Sequence, residues 1–289
     1  MNGILLLNKD QGFSSQQVLT KVKRLINANK VGHAGTLDPI ATGLLIVLVN
    51  GATKLSDYLM METKEYIAEI FIGKSTDTYD STGIITEEKL ITDLPDVDLV
   101  LKSFLGKSYQ IPPMYSAIKM QGKKLYELAR SGMMIEREKR EIEIFEIERI
   151  SDIEFFSGFA KFKFRVVCSK GTYIRSLCLD IGKKLGYPAH MTSLIRTKVG
   201  TFSLTDAYSI KDLENGNYKL IKMQDALKHY YKEVKVDSTL AKLVFNGVAI
   251  DQKVLKENAD YILLTYHDEL IGIYKKDQGK YKAERVWNY

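Results

Sequence analysis

The chain has 289 residues, 45% of them hydrophobic and 27% charged, with a net charge of +6. That length supports one large or two modest domains, and its apolar runs fall short of the ~20 residues a membrane helix needs, so no membrane association is expected. Two cysteines and four scattered histidines, with no HExxH and no close His/Cys cluster, exclude a disulfide framework, give no metal site, and fit a reducing, cytoplasmic setting.

The opening MNGILLLNKDQG lacks the basic start, apolar core and cleavage site of a secretory signal. GILLLNK predicts a strand. Ser14 and Gln17 form a capping-box pattern, and Val18, Leu19, Val22, Leu25 and Ile26 recur at helical spacing, so a helix is expected over 15–27. GHAGTLDP is a loop, Gly43–Val49 a buried strand, and GATKLSDYLM the start of another helix. KEYIAEIFIG alternates as a strand, STDTYDSTG is turn-rich, a short strand follows, and a helix is expected near 97–105. The prolines of QIPPMYSA exclude a helix interior. GKKLYELARSG reads as a short helix closed by Gly132. A charged run passes into the alternating REIEIFEIERI, and FAKFKFRVVCSKGTYIRSLCLDIGKKLG reads strand, turn, helix. Antiparallel-looking strands with separated helices indicate an α+β fold with a mixed, largely antiparallel sheet.

A boundary is expected at 230–236, giving domains 1–232 and 233–289. The tail offers the helix LAKLVFNG and the strands YILLTYHDE, LIGIYKK and YKAERVW. It carries eight lysines and one arginine against nine acidic residues, so the whole basic excess lies in 1–232. That excess suits a polyanionic partner. A module so small gains from docking on the larger domain.

The loop acids are Asp38, Asp77, Asp80 and Asp180. Asp38 is set among glycines and followed by Pro39. A carboxylate so held suits a nucleophile or base, and equally a cap of the turn before LLIVLV. Arg175, at a helix entry in SKGTYIRSL, fits a phosphate grip, a pair with a buried carboxylate or a structural ion pair. Tyr66 fits core packing or base stacking. His33 alone decides nothing. No GxSxG elbow and no GxxxxGK[ST] loop occurs, so neither serine hydrolysis nor ATP use is indicated.

Five ordered blocks resemble the TruB family of bacterial tRNA pseudouridine-55 synthases over essentially the full length: NKDQGFSS; VGHAGTLDPIATGLLIVLVNGATK; KEYIAEIFIGKSTDTYDSTG; QIPPMYSAIKMQGKKLYELAR; and CSKGTYIRSLCLDIG with SLIRTKVGTF. The resemblance implies a pseudouridine synthase catalytic domain over 1–232, a thumb-like insertion at about 122–149, and a PUA-like RNA-binding tail over 233–289. It implies catalytic roles for Asp38, Tyr66 and Arg175, and substrate-binding roles for His33, Lys9, Leu194, Tyr173 and Lys170. Ala34 stands where many relatives have threonine.

The implied reaction turns uridine 55 of the tRNA T loop into pseudouridine, with no metal, redox cofactor or ATP. The base is flipped out, the N1–C1′ bond breaks, the uracil turns, and C5 bonds to C1′. Asp38 either attacks C1′ or takes the 2′ proton. The implied partner is the T-arm stem-loop of tRNA, bound by a monomer without an obligate protein partner. The competing readings are a synthase acting on another RNA or with guide partners, a tRNA-folding chaperone, and a carboxylate-dependent glycosidase, which needs a second carboxylate near the first.

Overall fold

The computed structural model describes residues 1–116, 118–120, 122–130, 133 and 135–288. Among them a ten-stranded sheet carries the spine Gly3–Lys9, Thr42–Val49, Ala189–Val199, Lys64–Ile72, Phe159–Cys168, Arg140–Arg149 and Gly106–Gln110, in that spatial order. Neighbours along the spine are antiparallel except Thr42–Val49 beside Ala189–Val199, which run parallel. The fold is α+β with a mixed sheet.

Period-two burial explains the central strands. Tyr66, Ala68, Ile70 and Ile72 face the same core as Ala160, Phe162, Phe164, Val166 and Cys168. Onto this face packs the helix Ile174–Leu185, through Ile174, Leu177, Cys178, Ile181 and Leu185. The other face is polar. There Arg165 binds Glu65 (2.7 Å), Glu146 (2.7 Å) and Glu148 (3.1 Å).

The first helix runs Ser15–Leu25 with the expected Ser14/Gln17 capping box. GATKLSDYLM divides into a 3-10 turn, Asn50–Leu55, and a short α-helix, Ser56–Met60. The third expected helix is Val97–Lys102. GKKLYELARSG holds the helix Leu125–Arg130, while Gly132 lies outside the described residues.

The expected insertion over 122–149 needs correction at its end. Arg140–Arg149 is a strand of the main sheet, paired on both sides, because Ile142, Ile144 and Ile147 are buried in the core.

A second, five-stranded sheet is built from Lys232–Lys235, Tyr261–Tyr266, Glu269–Asp277, Lys280–Val286 and Ile250–Asp251. This curled, PUA-like unit shares an apolar core with the first sheet: Leu263, Leu270, Ile273 and Trp287 pack with Leu44, Ile46, Leu48 and Leu55. Trp287, only 2% exposed, donates its indole N–H to the carbonyl of Gly51 at 2.7 Å.

Candidate active site

The loop 34–41 joins the short strand Val31–His33 to Thr42–Val49 and carries Asp38. Its backbone is pinned from several sides. Ser15 Oγ accepts from the Leu37 N–H and donates to the Leu37 carbonyl, both at 2.9 Å. The Gly12 N–H donates to the Pro39 carbonyl at 2.8 Å. Arg196 donates from Nε to the Leu44 carbonyl (2.7 Å), from Nη2 to Gly35 (3.1 Å) and from Nη1 to Thr36 (3.4 Å). Gly43 has φ +98°, and a Cβ there would lie 2.4 Å from the Arg196 carbonyl oxygen, so only glycine lets these strands approach.

Arg175 enters from the first turn of Ile174–Leu185. It is 4% exposed, and its Nε lies 2.9 Å from Asp38 Oδ2. Its other nitrogens donate to the carbonyls of Thr78 (3.1 Å) and Tyr115 (2.7 Å), and Asp80 Oδ2 lies 3.7 Å from Nη1. Asp80 is itself fixed by Thr78 Oγ1 (2.8 Å), Thr82 Oγ1 (2.5 Å) and the Thr82 N–H (3.0 Å). One guanidinium thus spans two carboxylates. Burial pushes the Asp38 carboxyl above its ordinary value and the Asp80 charge adds to this, while Arg175 and Lys9 pull it down. The Asp38 side chain keeps 36% of its surface open, so it can meet a substrate.

Asp38 opens onto a cleft of about 710 Å³ that Tyr66, Lys170, Tyr173, Arg175, Leu194 and Arg196 also line. Tyr66 sits opposite Arg196 in the sheet. Burial pushes its hydroxyl up, and the adjacent Arg196 opposes this. Leu194 pairs with Ala68 and so shares the Tyr66 face. Tyr173 is fixed by Gln110, which accepts its N–H at 2.8 Å and donates to its carbonyl at 3.1 Å. Lys170 reaches over the mouth to Met61 Sδ at 2.7 Å.

The two other expected residues do not line the cleft. Lys9 is 1% exposed and ties down its own following segment, donating to the carbonyls of Asp10 (2.9 Å) and Phe13 (2.8 Å). Burial pulls its pKa down to about 8, against the field of Asp38. His33 ends its strand with a buried, unpartnered Nδ1, and burial and then Arg196 lower its pKa.

Sequence reasoning gave no role to Arg196 or Lys64 and did not join Asp80 to Arg175. All three lie inside the blocks SLIRTKVGTF, KEYIAE and STDTYDSTG. For Arg196 and Lys64 the signal was a lone polar residue at a core-facing strand position; Asp80 lies in the turn after Lys74–Thr76. Asp77 caps a turn through the Ile84 N–H (2.8 Å), and Asp180 pairs with Lys183 at 3.6 Å. Among the described residues no group of three or more His, Cys, Asp or Glu could hold a metal.

Two family models match in succession: the TruB family pseudouridylate synthase N-terminal domain over residues 23–174, and the tRNA pseudouridylate synthase B C-terminal domain over 175–244. The tRNA pseudouridine synthase B of Bacillus licheniformis is 46% identical over 259 residues, 86% of this chain and 84% of that protein. That of Clostridium tetani is 41% identical over 293 residues, 99% of each. A crystal structure of a Cbf5-Nop10-Gar1 complex matches at TM-score 0.68 and 26% identity, covering 99% of this chain and 84% of that one. An H/ACA RNP bound to a substrate RNA containing 2′-deoxyuridine matches at TM-score 0.70 and 22% identity, over 99% and 85% of the two chains, a likeness of fold. With the catalytic blocks in order and relatives matched over most of their length, the chain belongs to the TruB family of pseudouridylate synthases.

Proposed function

We propose that the chain isomerises uridine 55 in the T loop of tRNA to pseudouridine, with Asp38 as the reacting carboxylate. The observation that carries this reading is the Asp38 carboxylate, 2.9 Å from the buried Arg175 guanidinium, in one cleft with Tyr66 and Leu194.

The uridine must leave its stack to reach so deep a carboxylate, at a cost of a few kcal/mol that pocket contacts offset. Leu194 and the Tyr66 ring hold the uracil. Arg175 aims Asp38 and holds its charge. Asp38 then bonds to C1′, or removes the 2′ proton to leave a glycal, as the N1–C1′ bond breaks. The uracil turns within the cleft and C5 bonds to C1′ as the Asp38–C1′ bond breaks or, on the glycal route, as C2′ regains its proton; the C5 proton then departs and N1 gains a proton, so the RNA mass is unchanged. Tyr66 is placed to help remove the C5 proton. Lys9 and His33 serve from outside the cleft, Lys9 through its positive field on Asp38 and His33 by helping to hold the flipped state. Asp80 lies behind Arg175 and is not part of the cleft lining.

The basic excess of residues 1–232 supplies phosphate contacts that position the RNA without reading its sequence. The chain acts as a cytoplasmic monomer on the T-arm stem-loop, without an obligate protein partner. Its C-terminal unit already docks on its own catalytic domain. The test is position-resolved pseudouridine mapping on unmodified tRNA. The parent protein should modify position 55, and Asp38→Asn should bind the same RNA yet form no pseudouridine. Parental turnover by that variant would refute the assignment of Asp38.

A further inference from the structure

Arg196 is 1% exposed, yet among the described residues no ion pair includes it. Its protein partners are the carbonyls of Leu44, Gly35 and Thr36 and the Tyr66 hydroxyl, neutral acceptors all, for a group with five N–H donors. A buried charge without a counter-charge is costly. Lys64 repeats the pattern two residues before Tyr66. It is buried, lines the same cleft and donates to the carbonyls of Met60 and Glu62.

Strand geometry puts these cations on one surface. Lys64 and Tyr66 are two apart and share a face; Arg196 pairs with Tyr66, and Leu194 with Ala68, on that same face. Burial and the Arg196 charge together pull Lys64 down to about 8. The acids at the cleft rim are drawn elsewhere, Asp57 to Arg285 (3.4 Å) and Glu141 to Lys107 (3.9 Å). Opposite, the Asp38 charge is matched by Arg175. The floor on which the uracil would rest is therefore positive: Glu62 attracts Lys64, but among the described residues neither Lys64 nor Arg196 forms an ion pair.

We propose that Arg196 and Lys64 stabilise the negative charge that develops on the uracil when the N1–C1′ bond breaks. This rests on the function proposed above. Whichever route Asp38 takes, the bonding pair of N1–C1′ leaves with the base, and the charge spreads over N1, O2 and O4. It persists until C5 bonds to C1′ and N1 regains a proton. Prepositioned donors in a dry site favour such charge without reorganising. A backbone phosphate is a poorer fit for Arg196, which lies on the cleft floor beside Tyr66.

The test compares single-turnover rates on T-arm stem-loops carrying uridine or 5-fluorouridine at the target position, read as loss of the N1-linked nucleoside. Fluorine stabilises the departing anion and lessens the need for protein help. Arg196→Met should slow the uridine substrate on the order of 10²-fold at unchanged RNA affinity. The 5-fluorouridine substrate should slow by less than about tenfold. Arg196→Lys should recover part of the loss. Equal slowing of both substrates, or a loss confined to RNA affinity as for a phosphate contact, would overturn the proposal. If Arg196→Met lacks the parental unfolding transition, the same comparison on Lys64→Met decides. Failure of the parent protein to turn over uridine would instead refute the function itself.

Discussion

Arg175→Met removes the cation from Asp38 while roughly conserving side-chain length and packing. In the parent, burial already lifts the Asp38 carboxyl above its ordinary value, and Arg175 is the strongest opposing influence. Without Arg175 the burial and the Asp80 charge act on Asp38 with only Lys9 left to oppose them, so its pKa rises further. The Asp38 side chain is 36% exposed, so solvent screens part of the effect, and the carboxylate form becomes harder to reach. The sign is the same for both routes, because a nucleophile and a base each need the carboxylate. The acid limb of the single-turnover pH–rate profile should therefore move to higher pH, and raising the pH should restore part of the activity. Lost aim would lower the plateau as well. An acid limb at its parental position, with an equal loss at every pH, would show that Arg175 does not hold the Asp38 charge.

Two further substitutions probe the frame around the site. Gly43→Ala sets a Cβ 2.4 Å from the Arg196 carbonyl oxygen at φ +98°; denaturant unfolding should show a loss of at least about 1–3 kcal/mol, with reduced turnover because the strain falls next to the Asp38 loop. Parental stability would mean that the strands do not need this close approach. Trp287→Ala empties a buried site shared by both sheets and should cost about 3–5 kcal/mol by circular dichroism in denaturant; a cost below about 1 kcal/mol would mean that the two units are not joined through this core.

Much of the frame was readable along the chain. The capping box at Ser14 and Gln17 and the apolar spacing behind it placed the first helix, because capping is local chemistry. The alternation in KEYIAEIFIG and FAKFKFRVVC placed the two central strands. Ordered blocks singled out Asp38, Tyr66 and Arg175. The limits of the expected insertion were not readable: the alternation in REIEIFEIER marked a strand, but only its neighbours on both sides place that strand in the main sheet and not in the insertion.

By itself the sequence determined the elements, the α+β class and the residue types able to do the chemistry, since periodicity, caps and turn residues act over a few positions. The tertiary structure decided which of those residues share a cleft. It brought Asp38 and Arg175 to 2.9 Å, kept Lys9 out of the cleft lining, and seated Arg196 opposite Tyr66. Burial and charge are properties of neighbours distant in the chain. That is why a lysine two residues before Tyr66 and an arginine in SLIRTKV looked like ordinary strand cations, and why folding leaves them beneath the site without an ion pair among the described residues.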